Sequence, residues 1–260
     1  NQEKSMKKAI ISILSTLTLS VSGCNYLDIN PEMGLDEDQV FTVWDNFKSY
    51  YYNIYTTPTG IHCAYPLYLD MNARRYTWYQ FTDLSDAGRL LRCQQIKSGT
   101  MGENAAEFTT STAGRAISYS MFRIIRVCNK CIENIGRVQN VKQENKDDLL
   151  GQAYFVRAYA HFTLCRIFGG MPYLDKALDE NDEWDMARLT AWETYSRCAE
   201  DFDRAYECFV SAGKVRRDAA PGTEGHLTSS DMAYPNGVAA KAMKARALLY
   251  AASKLNNLHG

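Results

Sequence analysis

The sequence predicts an all-α protein, a tetratricopeptide-like helical-repeat solenoid with irregular, loop-rich insertions. Three observations carry this expectation. Apolar residues recur at helical spacing in five stretches. The last four stretches fall into two consecutive pairs, 116–138 with 143–168 and 192–212 with 237–255, like two units of a repeat array. Small residues (Ala153, Ala158, Ala160, Ala239, Ala240, Ala242, Ala245 and Ala247) recur where neighbouring helices need to approach closely. Unit lengths differ and no full tetratricopeptide consensus is present, so the likeness lies in packing style.

The bulk numbers agree with a globular chain. With 260 residues, 46% of them hydrophobic and 23% charged, there is enough apolar surface for a real core. Lys and Arg total 29 against 30 Asp and Glu, so no net field draws the chain to nucleic acid or to an anionic membrane surface. A ligand is expected to be uncharged or weakly charged.

The first two dozen residues differ in kind. Lys7 and Lys8 form a positive start, Ala9 to Val21 an apolar and hydroxyl-rich run, and Ser22 and Gly23 are small residues before Cys24. This is the pattern of an export signal. The run is shorter than the about 20 apolar residues a bilayer span needs, so residues 1–23 read as a signal peptide, and Asn1–Ser5, before Met6, as an extension. Removing residues 1–23 takes away Glu3, Lys4, Lys7 and Lys8 and leaves 26 basic against 29 acidic residues, still near neutral. Leu19 to Cys24 resembles a bacterial lipobox, in which the Cys thiol is acylated and becomes the first mature residue. Cys24 is therefore the expected lipid anchor and the expected sole contact with the membrane.

Residues 24–37 carry Asn30-Pro31 and Gly34 and read as a lipidated tether; 38–260 form the expected helical domain. Its first helix places Val40, Val43, Trp44, Phe47, Tyr50, Tyr51 and Ile54 at helical spacing, with Asp36 or Asp38 as cap, and stops at Thr56–Gly60. Residues 58–113 show weak periodicity and scattered Gly, and are expected to be irregular. In the second helix Ile117, Met121, Ile124, Ile125, Cys128, Ile132 and Ile135 share a face. The third, about 143–168, sets Leu149, Ala153, Val156, Ala160, Leu164 and Ile167 on one side and Tyr154, Phe162, Cys165 and Phe168 on the other. Apolar nearly all round, it is expected to be central. Gly169-Gly170-Met171-Pro172 stops it. Two further helices follow, about 192–212 and 237–255, separated by a loop from Gly213 to Asn236 whose length suggests a functional role.

At the third helix the sequence becomes recognisable. Gly151-Gln152-Ala153-Tyr154-Phe155-Val156-Arg157-Ala158-Tyr159-Ala160-His161-Phe162, continuing through Leu164 and Arg166 to Phe168-Gly169-Gly170-Met171-Pro172-Tyr173, resembles the signature helix of the SusD/RagB family. Three other stretches agree in order: Cys24-Asn25-Tyr26-Leu27-Asp28 with Pro31 resembles the family's mature start, Arg123–Ile135 its preceding helix, and Gly237–Ser253 its next repeat helix. The resemblance implies a non-catalytic surface lipoprotein of Bacteroidetes-type outer membranes. Such a protein binds oligosaccharide or another nutrient and closes over a TonB-dependent transporter. It also implies a longer protein, with a further C-terminal region beyond Gly260.

Local support for sugar binding is the aromatic-rich stretch. Eight of the 17 Tyr fall between residues 50 and 79, together with Trp78. Sugar rings lie with their C–H faces on aromatic faces, while polar side chains take the hydroxyls. Asp70, Asn72, Arg74, Arg75, Tyr76, Trp78 and Tyr79 offer both kinds of group within ten residues and form the candidate binding edge. The bland alternative is that Tyr50, Tyr51, Tyr52 and Tyr55 pack the first helix and that Trp78 and Tyr79 are core.

Other residues read as structure. Cys128 and Cys131 form a C-x-x-C inside an apolar helical stripe with no second pair, expected to be small hydrophobes or a disulfide. The seven Cys other than Cys24 show no framework spacing. His62, His161, His226 and His259 are dispersed, and His161 is expected to be a satisfied helix residue. Asp179, Glu180, Asp182, Glu183 and Asp185 read as a solvated loop, as do Lys214, Arg216 and Arg217. No catalytic residue, metal site or cofactor is expected. Two rivals remain: a helical-repeat scaffold that binds protein and no sugar, and a secreted glycoside hydrolase, which needs two facing carboxylates about 5–10 Å apart.

Overall fold

The structure, a computed structural model, describes residues 36–56, 98–100, 117–216, 227 and 233–257. Cys24 and the expected binding edge from Asp70 to Tyr79 lie outside the described residues, as do Cys63 and Cys93. Among the described residues the regular structure is helical: α1 (Glu37–Thr42), α2 (Trp44–Thr56), α3 (Ile117–Asn134) running into a 3₁₀ turn (Ile135–Arg137), α4 (Gln143–Phe168), α5 (Ala191–Ser211) and α6 (Gly237–Ala251). Two compact units divide at Gln39 and Val40. The second holds α2 to α6.

Successive helices pack on their neighbours in order, α3 on α4, α4 on α5 and α5 on α6, as the two-pair pattern predicts. The long third helix is central: Leu149, Ala153, Val156, Phe162, Leu164 and Cys165 are all buried although they point to different sides. Its observed bounds coincide with those read from the periodicity. Gly151 lets α5 come close, since a Cβ there would stand 2.9 Å from the Phe209 ring and 3.2 Å from the Ala205 carbonyl.

Three expectations are corrected. The first helix is two, because the chain breaks at Val43, whose carbonyl starts α2 by accepting from the Phe47 N–H at 2.9 Å. Val43 is 49% exposed, while Phe41, off the expected stripe, is buried against Phe47 and Tyr50. The last helix ends at Ala251, before a turn through Ser253 and Asn256. Ala242 and Ala245 face outward on it; Ala240 and Ala247 alone of its alanines in the expected set are fully buried. Of the two caps expected for the first helix, Asp36 accepts from the Gln39 N–H. Thr190 with Glu193 forms a reciprocal capping box that starts α5, a cap that sequence reasoning did not name.

α5 stops in a Schellman turn. Gly213 adopts φ +68, and Lys214 N–H reaches back to the Phe209 carbonyl at 2.8 Å. The Gly237 N–H then donates to the Lys214 carbonyl at 2.9 Å, and a Cβ on Gly237 would lie 2.6 Å from the Val215 side chain. The start of α6 is thus fixed against the end of α5.

Candidate functional site

The signature segment builds a pinned strap. After α4 the chain leaves through Gly169 at φ +76, and Gly170 passes so close to the start of α5 that a Cβ would stand 2.1 Å from the Leu189 carbonyl oxygen. Residues 170–178 then run without regular secondary structure, with no neighbouring strand among the described residues to satisfy their backbone. Side chains do it instead. Met171 N–H donates to Thr194 Oγ1 at 3.2 Å and Leu174 N–H to His161 Nε2 at 3.0 Å. Asn129 Nδ2 donates to the carbonyls of Leu174 and Lys176 at 3.1 and 2.7 Å, and Arg157 Nη1 to that of Asp175 at 2.9 Å.

Beneath the strap lies a closed polar network. Arg157 forks onto Asp201, Nε to Oδ2 at 2.7 Å and Nη2 to Oδ1 at 2.8 Å, with side chains 2% and 0% exposed. Asp201 also accepts from Tyr173 Oη at 2.7 Å and Arg204 Nη1 at 2.9 Å, so its carboxylate has four donors. Burial works against the Arg157 charge, but the hydrogen bonds and charge of Asp201 outweigh it and the guanidinium pKa ends above its ordinary value. His161 stacks on Tyr173 at 3.9 Å. With Nε2 accepting from the strap, Nδ1 carries the proton and donates to the Arg157 carbonyl at 2.9 Å. Burial pushes the imidazole down to about 4. His161 is therefore the satisfied helix residue expected from sequence, and Asp201, sealed by four donors, has no access to a substrate.

Cys128 and Cys131 are free and buried, so they act as small hydrophobes. Burial raises the Cys128 thiol to about 12 and Cys131 well above its usual value, removing thiolate reactivity. The acidic loop is solvated as expected: Asp179, Glu180, Glu183 and Asp185 are exposed and Asp182 is engaged by Lys176.

Open to solvent, on another face of α4, is a different kind of place. Tyr52 from α2, Asp148 and Gln152 from α4, Lys214 after α5, and Tyr234, Pro235 and Asn236 before α6 line a hollow of about 200 Å³. Tyr234 is 39% exposed, and its ring lies 5.4 Å from Tyr52, tilted 39°, and 5.4 Å from Tyr55, edge-on. Tyr51, Tyr52 and Tyr55 do pack on one another, as the bland reading of the tyrosine run held. Tyr55 Oη donates to Gln152 Oε1 at 3.4 Å. Burial and the Asp148 carboxylate raise the Tyr52 hydroxyl, which stays protonated and able to donate. Asn236 is held because its side-chain oxygen caps α6 through the Ala239 N–H at 3.1 Å. Aromatic surface with convergent acceptors and donors is the composition sought in the sequence between Asp70 and Tyr79, here assembled from four separate places. Sequence reasoning missed it because Tyr52 and Tyr234 are far apart along the chain; the one local signal was the Asn236-Gly237 helix start beside an aromatic.

Residues 25–214 match the family described as starch-binding and associating with the outer membrane. The chain belongs to the SusD-like family. Two SusD-like proteins of Formosa agariphila are similar to it: protein P2, 27% identical over 205 residues, and protein P38, 24% identical over 207. Each alignment covers 78% of this chain and 38% of the relative, so the chain spans well under half the length of these SusD-like proteins. A SusD-like protein of known structure from Bacteroides fragilis superposes with a TM-score of 0.55 at 20% identity, covering 84% of this chain and 37% of that one. The likeness establishes a shared helical fold. Both the signature segment and the hollow's Tyr52, Asp148, Gln152 and Lys214 fall inside the matched SusD-like region, whereas Tyr234 to Asn236 lie beyond it.

Proposed function

We propose that the protein is an outer-membrane surface lipoprotein, anchored through Cys24, that binds oligosaccharide without modifying it and delivers it to a TonB-dependent transporter. Membership of a family described as starch-binding and outer-membrane-associated is the observation that carries this reading. The local chemistry supports it. The charge balance favours a neutral ligand, and the solvent-open aromatic and polar hollow suits hydroxyl-rich rings. The stretch Asp70, Asn72, Arg74, Arg75, Tyr76, Trp78 and Tyr79 supplies a further binding edge. Residues 1–23 serve as signal peptide, 24–37 as tether and 38–260 as helical domain.

The test is affinity electrophoresis of the chain in gels containing soluble polysaccharides, paired with purification from membranes of cells that express it with its lipid anchor. The expected result is retardation by at least one neutral glycan and co-purification of a TonB-dependent transporter. Co-purification without retardation by any glycan would remove the sugar and leave a protein-binding scaffold. Release of reducing ends from a retarding polysaccharide would contradict the non-catalytic role.

A further inference from the structure

We propose that the strap from Met171 to Leu178 is an acid-released latch with His161 as its sensor: a proton on Nε2 removes the acceptor of the Leu174 N–H, and the strap lets go while α4 and α5 stay folded.

The hydrogen bonds around the ring admit only its neutral form. Nε2 accepts from the Leu174 N–H at 3.0 Å, and Nδ1 donates to the Arg157 carbonyl at 2.9 Å. A second ring proton turns Nε2 into a donor, so that two N–H groups point at each other. The ring has no room to turn aside, being fully buried, stacked on Tyr173 at 3.9 Å and held at Nδ1. A buried donor without an acceptor is costly, and water reaches it once the strap moves.

The strap is the part that yields. The helices carry their own backbone hydrogen bonds, whereas the strap hangs on single side-chain contacts from Thr194, Asn129 and Arg157, with Glu133 accepting from the Ala177 N–H at 2.7 Å. Its inward side chains are Met171 and Tyr173, and Asp175 and Lys176 are exposed. One end is fixed where Gly170 lies against Leu189, and the other runs into the solvated acidic loop. Opening takes the Tyr173 hydroxyl from Asp201 but leaves the fork of Arg157 on Asp201 intact, so α4 and α5 stay joined.

The charges facing the ring come from three elements. On α4 Arg157 opposes a second positive charge; Asp201 from α5 and Asp175 from the strap favour it. Arg197 of α5 lies 5.9 Å from the centre of the Tyr173 ring and 3.8 Å from Asp175. The remaining titratable groups are neutral, because burial keeps Cys128 of α3, Cys198 of α5 and the Tyr173 hydroxyl protonated. Burial of the ring itself outweighs the two carboxylates and holds it down to about 4 in the closed latch. Above pH 6.5 the ring is neutral whether the strap is closed or open. As pH falls toward 4 the open form takes up the proton first, so acid loosens the latch.

Amide hydrogen exchange of the full chain, read residue by residue by NMR and corrected for the intrinsic pH dependence of exchange, tests this. The opening constant of the Leu174 amide is expected to rise about twentyfold from pH 7 to pH 5, the ratio for a ring that titrates near 4 closed and at an ordinary 6.5 open. At both pH values it should exceed the constants of Val156 on α4 and Phe202 on α5 by about tenfold or more, since those amides open only when helices unfold. In His161→Gln, whose side-chain oxygen accepts from Leu174 without titrating, the constant should change by less than about threefold. Equal constants at Leu174, Val156 and Phe202 would show that the strap opens only with the whole molecule, and would overturn the latch. A constant at Leu174 that ignores pH, or that rises as steeply in His161→Gln, would overturn His161 as the sensor. Should that variant not fold, the wild-type course decides: a rise that starts near pH 6.5 supports the latch, and one confined below about pH 4.5 belongs to carboxylates and overturns it.

Discussion

One helix, α4, serves two polar regions that have little else in common. Toward the strap, Arg157 and His161 end in a sealed network where Asp201, Asn129, the carbonyls of Arg157 and Asp175 and the N–H of Leu174 take up their hydrogen bonds. Five residues earlier, about 140° round the helix, Gln152 and with it Asp148 meet tyrosine rings at an open hollow. In the first region the polar groups of Arg157, His161 and Asp201 are buried and bonded to one another and to the backbone, so it fixes the fold. The second sets polar groups beside half-exposed aromatic surface at an open hollow. Polar residues of one helix therefore stand in two settings, one sealed inside the molecule and one at its surface.

This contrast can be broken most forcefully at Asp201. Asp201→Ala leaves the buried Arg157 guanidinium without its counter-charge, and urea unfolding is expected to show a loss of about 3–5 kcal/mol. His161 gives the next largest effect, through pH. Its pKa is near 4 when folded against an ordinary 6.5. Above pH 6.5 it is neutral in both states; as pH falls from 6.5 toward 4 the unfolded chain takes up a proton that the folded chain refuses. Stability is expected to fall by on the order of 3 kcal/mol across that window, and His161→Gln should flatten that part of the profile. Gly170→Ala drives a methyl into the backbone of Leu189 to Ala191 and should cost about 2 kcal/mol or more in thermal unfolding. At the hollow, Tyr234→Ala should cost about 1–2 kcal/mol of stability, through the lost ring contacts with Tyr52 and Tyr55. Gly136→Ala, with open space around its Cβ, should stay within about 0.5 kcal/mol.

How much of this was legible in the sequence follows from how local each signal is. The bounds of α4 were readable because its periodicity is long and Gly169-Gly170 ends it sharply. The break at Val43 was not: Val43 fits the stripe, and only the packing of Phe41 on Phe47 and Tyr50 shows that the chain turns there. Asp201 was equally hidden, since a carboxylate midway along α5 looks like surface until Arg157 is brought opposite it. The candidate edge from Asp70 to Tyr79 is a contiguous run and lies outside the described residues. The hollow draws on α2, α4 and the two ends of the loop from Gly213 to Asn236, and periodicity tells which face of a helix is apolar but not which distant residue meets it.

The division of roles between the two faces of α4 is tested most directly by measuring unfolding free energy and oligosaccharide Kd together for Asp201→Asn and Tyr234→Ala. The account predicts a crossed result: Asp201→Asn loses several kcal/mol of stability while its folded fraction keeps wild-type Kd, and Tyr234→Ala loses only about 1–2 kcal/mol while Kd rises about tenfold. Parallel losses of stability and affinity in both variants, or an unaltered Kd in Tyr234→Ala, would contradict it.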